Sequence, residues 1–153
     1  MVDRAAPNGP TYSLHRSDRQ STSQLLVDDH ETSEILHGQW LEAQYATAAG
    51  ALLFIVDDAY QEDALGIYLL APQHRVRDHI RLQRMYATGK LRGLRQLDEA
   101  NFEFSFLGDD LWRLQVLSPP RAGLHLPFPL REQHRDHLFS RHWLALRKQR
   151  LNA

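Results

Sequence analysis

Arg75, Arg77, His79 and Arg81 occupy alternate positions in this sequence and are its strongest chemical feature. On a β-strand, alternate side chains share one face and stand about 6.6–7 Å apart. Guanidinium groups spaced that way can grip a phosphate or a carboxylate bidentately. Val76, Ile80 and Leu82 take the other parity, so the segment reads as a strand with one dry face and one basic face. A plainer reading is an outer face whose charges are neutralised by acidic neighbours.

A second group is His134-Arg-Asp-His137, with His142 beyond it. On a helix, His134 and His137 lie about 60° apart, near enough to share a metal. The familiar helical zinc pair sets two histidines four apart around a glutamate, and these residues do not match it. A solvated helix face is the simpler reading, so no metal or other cofactor is assigned. Asp57-Asp58 and Glu62-Asp63 flank Ala59-Tyr60-Gln61 after an apolar run. Carboxylates at strand ends can hold a divalent cation or act as general acid and base. Their spacing matches no calcium loop, and solvated turn acids are expected. The same expectation applies to Asp28-Asp29-His30-Glu31.

Other chemistries find little support. Ser105, Ser118 and Ser140 sit in no Gly-x-Ser-x-Gly elbow. The eight glycines are dispersed, which argues against a phosphate-binding loop. There is no cysteine, which excludes disulfides, thiol nucleophiles and cysteine-ligated zinc or iron and suits a reducing cytoplasm. Formal net charge is -1, too low for loose electrostatic binding to nucleic acid. The charge is unevenly laid out: residues 1–63 carry 3 basic and 11 acidic groups, while residues 64–153 carry 15 basic and 8 acidic. Either the halves interleave and neutralise each other, or a basic face stays open to an anion or an acidic partner.

The elements that must position these residues are mostly strands. The 153 residues are enough for one domain with its own core. The first ten residues, with two prolines and no apolar run, are expected to be disordered and to carry no signal peptide. Edge strands are expected near Thr11–His15 and Gln24–Val27, with a short helix from Thr32 or Ser33 to Gly38. Leu41, Ala43 and Tyr45 alternate with polar residues as in a half-buried strand. Ala51–Val56 and Gly66–Leu70 are continuous apolar runs, as in strands covered on both faces. The apolar stretch Ala48–Val56 is too short to span a bilayer. Residues 90–97 leave strand and helical turn open.

Phe102, Phe104 and Phe106 alternate with polar residues, and so do Trp112, Leu114 and Val116. Parity requires an odd loop between them if all six are to share a buried face. A three-residue loop over Gly108–Asp110 pairs Phe106 with Trp112, and a five-residue loop has the same parity. Four prolines make 118–129 an extended connector. Residues 130–151 lack Gly and Pro and read as one long helix, with Phe139, Trp143 and Leu146 on one face and Leu144 and Leu151 opposite.

The expected fold is therefore α+β: a mainly antiparallel sheet over about 11–117, curled or barrel-like, with a C-terminal helix over about 130–151. The expected function is a soluble, non-enzymatic binding protein. The alternative is a barrel-like protein that binds a small anionic ligand, or an enzyme acting on one, through Arg75, Arg77, His79 and Arg81. The second apolar helix face suggests a homodimer through Leu144 and Leu151.

Overall fold

The structure is a computed structural model. It describes residues 9–17, 21–58, 63–84, 89–124, 133–134 and 139–149. Twelve strands and no helix are found among them. The strands form three antiparallel sheets. Sheet A runs β1 (Tyr12–Arg16), β2 (Thr22–Val27), β3 (His30–His37) in that order. Sheet B contains β4 (Trp40–Thr47), β5 (Gly50–Asp57), β6 (Ala64–Leu70), β7 (Val76–Gln83) and the short β11 (Gln133–His134), in the order β11-β7-β6-β5-β4. Sheet C contains β8 (Arg92–Gln96), β9 (Asn101–Ser105), β10 (Leu111–Leu124) and β12 (Phe139–Gln149), in the order β12-β10-β9-β8.

Sheet B is the middle layer. From β5, Leu52 and Phe54 join β9, β10 and β12 side chains in the larger core; Leu53 and Ile55 join Leu25, Leu36 and Tyr12 of sheet A in the smaller one. On β6, Leu65, Ile67 and Leu69 face the first core, and Tyr68 and Leu70 the second. The unbroken apolar runs expected for doubly covered strands thus have two cores to fill. Each fully buried Leu, Ile or Phe contributes about 1.5–3 kcal/mol.

The Phe102/Phe104/Phe106 and Trp112/Leu114/Val116 side chains all lie in the larger core. The register pairs Phe104 with Trp112 and Phe102 with Leu114, which leaves a five-residue loop over 106–110. Leu107 and Gly108 carry the positive φ angles that turn it. Phe106 is thereby released from pairing, and its carbonyl accepts the Trp112 indole N–H at 3.3 Å.

The long C-terminal helix is overturned. β12 pairs with β10, Leu146 opposite Leu114 and Leu144 opposite Val116. Helix propensity is a weak prior that tertiary pairing overrides. A helical stripe through Phe139, Trp143 and Leu146 and a strand alternation through Leu144 and Leu146 both fit the same letters. β10 offers a partner and decides for the strand. Leu144 is 0% exposed and Leu146 8%, both in the same core. Leu144 is thus unavailable as a contact between chains, and Leu151 lies outside the described residues. The fold class is all-β, with three sheets in place of one curled or barrel-like sheet.

Two smaller expectations change as well. β10 continues through Pro119 and Pro120 to Leu124, with its pairing to β12 interrupted between Val116 and Arg121. This interruption accommodates the prolines, which cannot donate to the ladder. The short helix up to Gly38 is instead β3, joined to β2 by the two-residue turn Asp28-Asp29, both at positive φ. That is the hairpin turn whose twist matches the flanking strands. Residues 90–97 resolve into β8.

Candidate functional site

A bulge on β7 divides the basic row. Leu69 pairs with Asp78 and Leu70 with Val76, so Arg77 is the extra residue. Val76 therefore packs on the smaller core, while Ile80 and Leu82 fill the larger one. The parity read from the sequence does not survive the bulge. Arg75 is exposed in the connection before β7. Arg77 leaves the row: its guanidinium lies 4.2 Å from the Trp143 ring centroid, and Nη1 donates to the Ala49 carbonyl at 2.8 Å. His79 and Arg81 remain together, on the face of sheet B that meets sheet A.

That face grades from apolar to polar along the strands. Leu53, Ile55, Tyr68, Leu70 and Val76 sit under sheet A. At the far end, the small residues Ala64 and Gly66 leave a notch, whose wall also includes Asp57, His37, Tyr68, His79 and Arg81. A Cβ added at Gly66 would stand 2.8 Å from the Tyr68 ring, so the absent side chain is what keeps this space. The Tyr68 and His79 rings stack at 4.0 Å with 8° between planes. The Tyr68 hydroxyl accepts the His37 N–H at 3.0 Å and donates to the His37 carbonyl at 3.3 Å, which pins β3 over β6. The void holds about 10 Å³, room for a single water-sized atom.

Asp57 is 4% exposed, so it is no solvated turn acid. Its Oδ1 has no hydrogen-bond partner among the described residues. Burial pushes its carboxyl above the usual carboxylate range, and Asp58 adds to this; the hydrogen bond with Ser21 and the charges of Arg81 and His37 oppose the shift without cancelling it. Buried titratable groups with a perturbed affinity for protons, set in a cleft beside charged partners, cluster at functional sites. The sequence groups His79 with Arg81 in the basic row and sets Asp57 apart in an acidic cluster. It has no means of joining them to His37 and Ser21, which arrive from sheet A.

The other candidates disperse. Asp58 accepts the Trp40 indole N–H at 3.4 Å, and Asp63 accepts the Gly89 N–H at 2.7 Å. Glu62 lies outside the described residues. Asp28, Asp29, His30 and Glu31 are exposed around the β2–β3 turn, as expected for solvated acids. The backbone of His134 pairs with Arg81, and His137 lies outside the described residues. No group of three His, Asp or Glu that could hold a metal occurs among the described residues. No helix among them is long and apolar enough to cross a membrane.

On the surface, Trp40 is 43% exposed, with the Arg16 guanidinium 4.1 Å above its ring. Ile35 on β3 is 60% exposed. Several basic groups of the second half find acids within that same half: Arg95 and Arg113 meet Glu103, and Arg84 and Lys148 meet Asp110. Comparison with known protein families, with curated proteins and with solved structures gives no match. The functional reading therefore rests on geometry.

Proposed function

We propose that this chain is a non-enzymatic binding protein that recognises a protein partner on its outer surface. The observation that carries this is the packing among the described residues: both cores are filled with apolar side chains, the polar notch between sheets A and B admits only about 10 Å³, and the larger hollow of about 650 Å³ beside Leu14, His15, Arg16, Ser17 and Gln39 lies open on the surface instead of enclosing a ligand. Sites that enclose a whole small molecule run to roughly 300–1,000 Å³. The exposed Trp40–Arg16 pair supplies the residue types that dominate binding energy at protein interfaces. A reducing cytoplasm suits a chain without cysteine.

Cross-linking in a native extract, followed by mass spectrometry, tests the reading. A partner should be captured by wild type and lost by roughly tenfold in Trp40→Ala, with the melting temperature unchanged. Capture that is indifferent to Trp40→Ala and to Ile35→Asp would move recognition off this surface. A small molecule found enclosed within the chain would favour the alternative of an anionic-ligand binder.

A further inference from the structure

We infer that the notch at Asp57 and Arg81 is an acid-activated site for one terminal oxygen of an anion, a carboxylate or phosphate group. The inference concerns a group-sized site, so it stands apart from the partner reading and can fail without it.

Geometry comes first. The void is sized for one oxygen atom and is kept open by the missing side chain at Gly66. Asp57 lines it, and its buried Oδ1 has no hydrogen-bond partner among the described residues. A guanidinium and two imidazoles, Arg81, His79 and His37, share the wall. Such an array is made to surround negative charge, except that an ionised Asp57 would repel it.

Protonation removes that obstacle. A neutral Asp57 carboxyl carries one O–H, and the anion oxygen would accept it. The charged or titratable groups facing Asp57 are His37 from β3, Tyr68 from β6, His79 and Arg81 from β7, and its own neighbour Asp58; Ser21, in the turn just before β2, adds a neutral hydroxyl. Acid neutralises carboxylates and adds charge to imidazoles, while Arg81 stays cationic. Each change favours an anion, so the direction does not depend on which group titrates first. Burial of the Asp57 carboxyl helps, because it favours the neutral donor form.

The test uses the full chain with inorganic phosphate and, separately, acetate as probes. Binding is followed by calorimetry and by the amide NMR shifts of Gly66 and His37. At least one probe should bind roughly tenfold more tightly near pH 5 than near pH 8. Phosphate gains negative charge as pH rises, so its own titration works against this result. Phosphate binding without acetate binding would assign the site to phosphoryl oxygens, and binding of both to terminal oxyanions in general. In Asp57→Asn, where a neutral amide donor replaces the carboxyl, the ratio between the two pH values should fall about threefold or more. Asp57→Ser is a second neutral variant should the first fold poorly. Arg81→Gln should remove binding at both pH values. Equal wild-type binding at the two pH values, an unchanged ratio in both Asp57 variants, or full binding by Arg81→Gln would each overturn the inference. So would the absence of binding by either probe near pH 5.

Discussion

The carboxylate of Asp78, on β7, accepts the backbone N–H of Leu144, on β12, at 2.9 Å. The same oxygen, Oδ2, accepts the Trp143 N–H at 2.9 Å, while Oδ1 accepts the N–H of His79 at 2.8 Å. One side chain thus joins the middle sheet to sheet C where β10 and β12 lose their regular register. Asp78→Ala strands those N–H groups and should cost about 2–3 kcal/mol, while Asp78→Asn, which keeps an acceptor, should cost less. Chemical-denaturation midpoints measure both, and equal midpoints for wild type and Asp78→Ala would show that the link carries no stability.

The larger core makes a second prediction. Phe104 is fully buried, and its ring lies 5.7 Å from that of Phe54 in an edge-on arrangement. Phe104→Ala should cost about 3–5 kcal/mol through lost burial and the cavity left behind. A urea midpoint equal to that of wild type would place Phe104 outside the core.

Leu144 separates strand from helix. As a strand residue at 0% exposure it should cost about 2–5 kcal/mol when changed to alanine. Circular dichroism should show a β spectrum without the paired minima of a helix. A helical spectrum, or a silent Leu144→Ala, would restore the helix.

Asp57 makes stability depend on pH. Its folded carboxyl holds its proton more tightly than the ordinary value of 3.8. The folded state then binds more protons than the unfolded state between the two values, so the contribution of Asp57 to stability is complete below about pH 4 and is lost as pH rises through the folded value. The melting temperature of Asp57→Asn minus that of wild type should therefore grow from acid to neutral pH. A difference that shrinks over that range would mean the carboxylate is stabilised when charged.

Gly50 is the first residue of β5, the strand that serves both cores; its φ is 136°, and a Cβ there would stand 1.9 Å from the Leu70 carbonyl oxygen. Backbone strain and collision act together, so Gly50→Ala should cost more than about 3 kcal/mol. Thermal unfolding checks this, and a loss below about 1 kcal/mol would mean that the β4–β5 turn relaxes freely.

Several elements were legible in the sequence because their signal is local. Leu41, Ala43 and Tyr45 alternate, Ala51–Val56 runs apolar, and the six aromatic and aliphatic residues of the β9–β10 hairpin fix an odd loop. Loop length was harder: parity allows three or five residues, and the choice fell to Phe106, which leaves the ladder and lends its carbonyl to Trp112. The C-terminal strand was illegible because Phe139–Gln149 satisfies both periodicities, and the partner that decides between them is β10. The basic row misled because a one-residue bulge at Arg77 reverses the parity midway. The Asp57 notch depends on residues from four strands and two sheets; Ala64-x-Gly66, two small residues on one strand face, was the one local hint.

β5 and β6 insert alternate side chains into opposite cores. The hairpin therefore cannot lose its shape without emptying both. The peptide hydrogens shared between β5 and β6, from Ala51–Leu70 to Asp57–Ala64, should be the slowest in the molecule to exchange with heavy water. They should exchange only when the whole chain opens, with a protection equal to the global free energy of unfolding.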